Sequence, residues 1–474
     1  MNLKTYYIPE FLKKHFDFFC AEKTGNSSLE GASFKEEFFN EGFGGFLKRS
    51  SEIFENLGID EIISHLDAAS GKFLDKSYAK RASAIAAISD LSGFSANAVE
   101  KSIDLEFLSS RAPQMRSALE NEFCNYHALD GFVYSEKLGG YTKIVPRSPV
   151  FAVCSSNIPA LPHLSIMRSF LTKNPVILKT SREEPIFTPL YMEALAEMGS
   201  PLADCAISLC YESEKKEITE KLIELSDTMI VYGGVKAGAY FKKAVSWPKT
   251  LIMHSHKMGF GVIGASFMKE TNGFRIKDLA AKIAFDTITF EQRACLAPHV
   301  YFYNSDGNIA CAEFAAMVME ALEAVENEIP PARLSQGEAY ARRSYMDSLL
   351  FSDKNAEIFE TKSKKGAVIT LNSKEFPVSP LNRLIHIVPF ECPEDVFNII
   401  SPLNGYFQNV SLNVRSGEYM AWADRFSKLG VSRICRAGEM PTPSMMWHHD
   451  GICALSAMVG YCDMEGFSKN VIES

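Results

Sequence analysis

Val150-Phe-Ala-Val-Cys-Ser-Ser-Asn157, Pro175-Val-Ile-Leu-Lys-Thr-Ser-Arg182 and Thr228-Met-Ile-Val-Tyr-Gly-Gly234 decide the fold of this chain. Each is a short apolar run that breaks off into small or polar residues, the texture of a strand buried on both faces that ends in a loop. Cys205–Cys210 and Phe260–Ile263 extend the series to five candidate strands, and helical patterns at 161–173, 187–198, 214–225 and 235–245 fall between them. In the second of these helices Thr188 can cap, Pro189 fits the first helical position and Gly199 follows the last turn. Strands spaced by single helices imply right-handed crossovers and a parallel sheet covered on both sides. The fold class is therefore α/β, with a doubly wound domain that binds its ligand at the carboxyl ends of the strands. The Gly-x-Gly-x-x-Gly fingerprint is absent, so the phosphates of a dinucleotide would have to be held in another way.

Working outward, residues 1–130 read as a helical region, with Ser77–Leu91 as its Ala-rich example, and offer packing and assembly rather than chemistry. Phe132–Val145, with Gly139-Gly140 at its centre, reads as a hairpin and a candidate assembly element. Beyond residue 265 a second α/β unit is predicted. It has strands at 299–303, 366–371, 384–389 and 409–414, and helices at 275–286, 308–326, 335–351, 393–401 and 417–428. The expected divisions are 1–130, a dinucleotide-binding domain at 131–264, a catalytic domain at 265–440 and a returning segment at 441–474.

The 474 residues are 46% apolar and 23% charged, the composition of a globular protein large enough for two domains. A net charge of -9 without a basic block argues against nucleic-acid binding. The amino terminus mixes charges with aromatics, and no uncharged run approaches the ~20 residues that span a bilayer. A cytoplasmic protein without a membrane span is the expectation. The eleven cysteines include no Cys-x-x-Cys pair and read mostly as small buried hydrophobes.

Three positions invite chemistry. Cys295 lies in Thr289-Phe-Glu-Gln-Arg-Ala-Cys-Leu-Ala-Pro298, between a predicted helix and a predicted strand, where a thiol can be reached and activated. Asn157 follows the first parallel strand and can either aim its amide at an oxyanion or cap the next helix. Lys179 ends the second strand, where it can donate to ribose hydroxyls or stand solvated. His254-x-His256 and His448-His449 lack supporting Cys or carboxylate spacing, so no metal is expected.

The order of these pieces resembles the aldehyde dehydrogenase superfamily. Asn157 matches the Asn of Pro-Trp-Asn-Phe-Pro, and Asn174–Ser181 resembles Gly-Asn-x-Val-Val-x-Lys-Pro-Ser. Tyr232–Gly238 is similar to Phe-Thr-Gly-Ser-x-x-x-Gly, and Gln292–Cys295 to Gly-Gln-x-Cys. Within it, the nearer likeness is to the fatty acyl-CoA reductases of bacterial luminescence operons (LuxC). It rests on Glu291–Pro298, Phe407–Leu412, Gly430–Ile434 with Gly438, and His448-His-Asp-Gly451, and covers roughly 130–465.

The resemblance implies a fold of the aldehyde dehydrogenase kind and NADPH-dependent reduction of long-chain acyl-CoA to aldehyde through an acyl-enzyme on Cys295. Asn157 and the Cys295 N–H would form the oxyanion hole, where one donor is worth about 3–4 kcal/mol. Ser155, Ser156, Lys179, Thr180, Ser181, Arg182, Gly233 and Gly234 would hold the cofactor. Arg182 stands where many NAD-preferring relatives carry a Glu, which favours NADPH over NADH. The general-base Glu of ordinary aldehyde dehydrogenases is missing, since no acid occurs between Asp227 and Glu270. His254 or His256 is expected to help deprotonate Cys295. The second domain's ribose-binding Glu is also missing, with Ser379-Pro-Leu-Asn-Arg383 in its region. The likeness further implies an acyl-protein synthetase partner and a homo-oligomer. Competing readings are an oxidative or CoA-acylating aldehyde dehydrogenase, and a thioesterase-like acyl relay through Cys295.

Overall fold

Residues 2–24, 27–270 and 273–469 are described by a computed structural model. The amino-terminal region opens as a β-ribbon, not as helix: β1 (Asn2–Lys4), β2 (Phe16–Thr24) and β3 (Ser27–Phe34) form a sheet in the order β1-β3-β2. Strand pairing wins here because Tyr7 bridges to Ser208 on the edge of the first parallel sheet, so the ribbon is braced by long-range contacts invisible to local periodicity. The expected helices follow as α1 (Phe43–Asn56), α2 (Ile59–Leu74), α3 (Ala79–Ser92), α4 (Ala96–Leu108) and α5 (Ala112–Glu122). The hairpin is β4 (Val133–Ser135) with β5 (Gly140–Pro146), antiparallel.

The first parallel sheet contains β6 (Val150–Val153), β7 (Val176–Lys179), β8 (Ala206–Leu209), β9 (Thr228–Tyr232) and β10 (Thr250–His254), in the order β10-β9-β6-β7-β8. Its crossovers are α6 (His163–Leu171), α7 (Phe187–Glu197), α8 (Lys216–Leu225) and α9 (Val235–Ala244). Strand order reverses between β6 and β9, and the loops there, Cys154–Asn157 and Tyr232–Gly234, open the crevice in which such sheets bind ligands. Helix α7 starts differently from the expectation. The Glu184 carboxylate accepts from the N–H groups of Ile186 and Phe187, while the Thr188 hydroxyl is buried without a partner. Glu184 has the longer reach and can take both orphan donors at once.

Strand β11 (Met258–Ile263), in which Phe260–Ile263 lies, belongs to the second sheet and not to the first. The chain crosses between sheets at Ser255–Lys257, and the real fifth strand is β10, which the reading of the sequence passed over. Three residues separate two strands of different sheets, so His254, His256 and Lys257 are delivered to the seam. The second sheet adds α10 (Ala265–Lys269), α11 (Gly273–Ile288), β12 (Pro298–Asn304), α12 (Cys311–Glu326), α13 (Gln336–Ser352), β13 (Glu357–Glu360), β14 (Ala367–Thr370) and β15 (Leu384–Phe390). It ends with α14 (Pro393–Ile400), β16 (Phe407–Asn413), α15 (Tyr419–Lys428) and β17 (Arg433–Cys435). The order is β13-β14-β15-β12-β11-β16-β17, with only β13 antiparallel. Gly259 on β11 is needed for close approach, because a Cβ there would sit 2.6 Å from the Leu296 carbonyl oxygen.

Two irregular loops meet beneath the cleft. Phe290, Glu291 and Gln292 have φ of 56°, 53° and 59°, and Leu381, Asn382 and Arg383 have 67°, 56° and 63°. Three consecutive non-glycine residues in the left-handed region cost free energy, and local sequence alone would not hold them. A buried lock does. Arg383 Nε donates to Glu291 Oε2 at 2.9 Å, with both side chains at most 2% exposed. The Gln292 amide donates to the carbonyls of Pro298 and Leu384 at 2.8 Å each and accepts from Leu384 N–H at 2.8 Å.

The carboxyl-terminal segment returns across the crevice and finishes as β18 (Val459–Glu465), paired with β5. Its anchor is Glu122, whose carboxylate accepts from the N–H groups of Ala454, Leu455 and Ser456. Replacing Glu122 by Ala should cost about 2 kcal/mol and raise hydrogen exchange selectively over 447–456. Unchanged exchange there would refute the anchor. Glu291→Gln and Arg383→Met should each lower stability by about 3–5 kcal/mol in urea titrations, since each leaves a buried charge or polar group unpaired.

Candidate functional site

The crevice between the two sheets is a cleft of about 1390 Å³. That exceeds the volume usual for one small ligand, so a dinucleotide and an acyl thioester can share it. Its walls bring together Asn157, Tyr232, His254, Cys295, Trp447 and His449, six residues from the ends of three strands, the locked loop and the returning segment.

Cys295 follows the left-handed turn, held by the Glu291 and Gln292 contacts. Its Sγ lies 3.9 Å from His449 Nε2. Burial pushes the thiol up to about 12, reinforced by the charge of Asp450, while its own N–H and Lys257 pull the other way. At neutral pH the thiol is thus protonated, and it needs a base before it can act as a nucleophile. Asn157 accepts from Ser155 Oγ at 2.6 Å and donates from Nδ2 to the Arg293 carbonyl at 3.1 Å. That pair of bonds turns the amide's donor side toward the loop that carries Cys295.

The imidazole at the sulfur belongs to His449, not to either of the two expected from the sequence. His254 lies behind it: the rings stack with centroids 4.0 Å apart, and His254 Nδ1 is 2.8 Å from Asp450 Oδ2. His256 instead packs over Gly234, where a Cβ would come within 2.9 Å of its ring. The physical reason is the sheet crossing at Ser255–Lys257, which leaves His254 at a strand end facing inward and His256 exposed beside Gly234. Trp447 stacks on the outer face of His449 at 4.7 Å, so the His449 ring is sandwiched. Burial, with the charges of His254, Arg168 and Lys257, holds His449 well below the usual histidine range. It is therefore neutral and able to accept a proton. Burial also lowers His254, although Asp450 opposes this.

Asp450 and Lys257 complete the cluster. Lys257 Nζ is 3.3 Å from Asp450 Oδ1, and both side chains are nearly enclosed. Asp450 has φ 57° and precedes Gly451 at φ 77°, a left-handed pair that aims the carboxylate inward and explains the Asp-Gly step. His448-His-Asp-Gly451 was visible in the sequence as a string, but its contact with a cysteine 154 positions away was not. Lys257 and Arg168 carried no sequence signal beyond their charge. Donor atoms of His254, His449 and Asp450 lie within 4.8 Å of one another, a spacing that could hold a metal ion, but the Lys257 ammonium already neutralises Asp450.

The other expected residues divide into two groups. Ser155, Ser156, Gly233 and Gly234 line the cleft. Ser156 donates to Glu183 at 2.8 Å and accepts from Ser181 at 3.2 Å, and Thr180 Oγ1 donates to the Leu209 carbonyl. Lys179 lies over the Tyr211 ring at 5.0 Å and donates to Ser213; burial lowers its pKa. Arg182 is turned outward, 63% exposed and paired with Glu212 at 2.6 Å, while Glu183 stands at the cleft wall. Gly233 and Gly234 leave space that a Cβ would fill, against Ala237 and His256 respectively. A flat, side-chain-free stretch beside hydroxyls and a strand-end lysine fits a nicotinamide dinucleotide. Ser379 and Asn382 line the cleft on the side of the second sheet. Among the described residues no helix is long and apolar enough to cross a membrane.

Solved structures with the same architecture include 3,6-anhydro-L-galactose dehydrogenase in complex with NAP. It has a TM-score of 0.68 and 12% identity over 98% of this chain and 99% of that one. NADP-dependent glyceraldehyde-3-phosphate dehydrogenase from Bacillus halodurans C-125, complexed with NADP, gives 0.69 at 13% identity over 94% and 95%. At these identities the likeness establishes the aldehyde dehydrogenase fold. Two relatives by sequence are long-chain acyl-protein thioester reductase 2 of Photobacterium leiognathi, 21% identical over 88% of this chain and 84% of that protein, and the long-chain acyl-protein thioester reductase of Vibrio harveyi, 20% identical over 86% and 83%. Residues 54–461 match the family described as Acyl-CoA reductase (LuxC). With its fold, its cleft-facing cysteine and that match over most of its length, the chain belongs to the LuxC acyl-CoA reductase family.

Proposed function

We propose that the protein reduces an acyl thioester to an aldehyde through an acyl-enzyme on Cys295, with the acyl group arriving on CoA or on a partner protein. The observation that carries this is the 3.9 Å approach of the Cys295 sulfur to a neutral His449, in a cleft large enough for both reactants. His449 takes the thiol proton as the sulfur attacks the thioester carbonyl. The same imidazole returns that proton to the departing thiolate, so one residue serves both halves of the exchange. Asn157 Nδ2 and the Cys295 N–H receive the developing oxyanion. Asp450 orients His254 against His449, and Lys257 offsets the carboxylate's charge so that the thiol is not penalised further.

A bound nicotinamide dinucleotide supplies the hydride that converts the acyl group to the aldehyde level. The protein's contribution is then to keep water inactive. His254 ends β10, and the carboxylate whose charge acts on the Cys295 thiol, Asp450, is already engaged by His254 and Lys257. The acyl-enzyme therefore persists until it is reduced, which favours reduction over hydrolysis and over aldehyde oxidation.

Incubating the protein with decanoyl-CoA in the absence of cofactor should give one acyl adduct by intact mass, absent in Cys295→Ala. His449→Ala should slow its formation about 100-fold or more. An adduct elsewhere, or an unchanged rate in His449→Ala, would sink the assignment.

The cofactor we assign is NADPH. The Arg182–Glu212 pair is exposed and is worth little, so a 2′-phosphate can draw Arg182 away at small cost and gain a charge-assisted contact. Glu183 opposes that phosphate by its own charge. In equilibrium titrations Arg182→Glu should weaken NADPH binding about tenfold relative to NADH, and Glu183→Gln should shift the ratio the other way. Equal ratios in all three proteins would remove Arg182 from the assignment.

A further inference from the structure

The wall of the cleft formed by α4 and α6 carries a feature that the reduction of a plain acyl chain does not use. Leu105, Leu161 and Leu164 make it apolar, yet Glu106 and Arg168 open into the same space. Arg168 is 8% exposed. Among the described residues its guanidinium makes no hydrogen bond and no ion pair, whereas the neighbouring buried cations are matched, Lys257 to Asp450 and Arg293 to Glu338. The Glu106 carboxylate on the facing helix is likewise unpartnered, and burial pushes it up to about 7 with only partial relief from Arg168. The two groups feel each other but stand too far apart to pair. Arg168 lies close to the chemistry rather than at a remote end of the cleft, since its charge acts on Tyr232, His254 and His449.

A guanidinium and a carboxyl group facing one cavity are costly once water is displaced unless the ligand replaces the lost hydrogen bonds. An alkyl chain cannot. A carboxylate would satisfy Arg168 but would face Glu106. A hydroxyl can accept from the guanidinium and donate to the carboxylate at the same time. From this juxtaposition we infer that the cleft is built for an acyl group with a hydroxyl near the thioester, a 3-hydroxyacyl thioester, held between Arg168 and Glu106. This rests on the reading of Cys295 as acyl acceptor and names the substrate class of that site.

The test follows Cys295 acylation of the full-length protein by intact mass, without cofactor. The probes are the CoA thioesters of octanoate, racemic 3-hydroxyoctanoate and 3-methoxyoctanoate. The hydroxylated thioester should react at least about tenfold faster than octanoyl-CoA, because a site built to bond a hydroxyl rejects the analogue that lacks it. The methoxy compound, which accepts but cannot donate, should lose most of that advantage. In Arg168→Met and Glu106→Gln the ratio of hydroxylated to plain rates should fall toward one. Wild-type protein that acylates the plain chain as fast or faster overturns the inference, even if neither variant folds. So does an unchanged ratio in the variants, or an equal slowing of both substrates in Arg168→Met, which would make Arg168 a positioning residue for His449. Acylation without preference overturns this inference alone. The absence of any Cys295 adduct overturns the thioester reading beneath it.

Discussion

The pairing of Glu291 with Arg383 beneath the cleft is the contact on which the site depends. It joins two loops that each spend three residues in left-handed backbone, and neither would keep that shape in solution. One loop presents Cys295 at its end and the other lines the cleft opposite the first sheet. An ion pair this deeply buried is not an efficient way to stabilise a fold, since desolvation offsets much of the attraction. Its value is geometric. Gln292 adds three hydrogen bonds to the backbone of β12 and β15, so Cys295 is referenced to the second sheet and cannot drift with the first.

The imidazole beside the sulfur is referenced elsewhere. His449 and Asp450 belong to the segment that returns across the crevice, and that segment is tied to α5 by Glu122 and to β5 by β18. His254 and Lys257 come from the crossing between the sheets. The Cys295 sulfur and the His449 ring thus meet only when both sheets and the carboxyl-terminal return are in register. The 3.9 Å sulfur–imidazole separation is loose for a hydrogen bond, which suits a site that tightens when substrate enters.

Much of this was legible in the sequence, for identifiable reasons. Parallel strands buried on both faces, such as Val150–Val153 and Thr228–Tyr232, write themselves as apolar runs, and their loops carry the small and polar residues the crevice needs. Asn157, Cys295 and the paired glycines could be placed because each lies next to a strand end. His449 could not, because its role comes from a contact between segments 154 positions apart. Periodicity also failed where pairing was non-local. The ribbon of β1–β3 depends on the edge of a sheet nearly two hundred residues later, and β10 was hidden by β11, three residues beyond it in another sheet. Arg182 shows a subtler limit: the residue type was right for a phosphate, but its direction is set by Glu212 on a neighbouring loop.

The missing carboxylate base and the unpartnered Arg168–Glu106 wall are two sides of one arrangement. A cleft acid near the sulfur would activate water. Here the strand-end position holds His254, committed to Asp450, and the free acid has moved to α4, where it faces Arg168 and not Cys295. A carboxyl group there cannot direct water at the acyl-enzyme, but it can grip a polar substituent of the acyl group. On the proposed reading, an acid set beside the acyl chain and away from the reacting carbon selects the thioester and does not destroy it. On that same reading, the cleft holds an acyl-enzyme for reduction and discriminates among acyl groups without admitting hydrolysis.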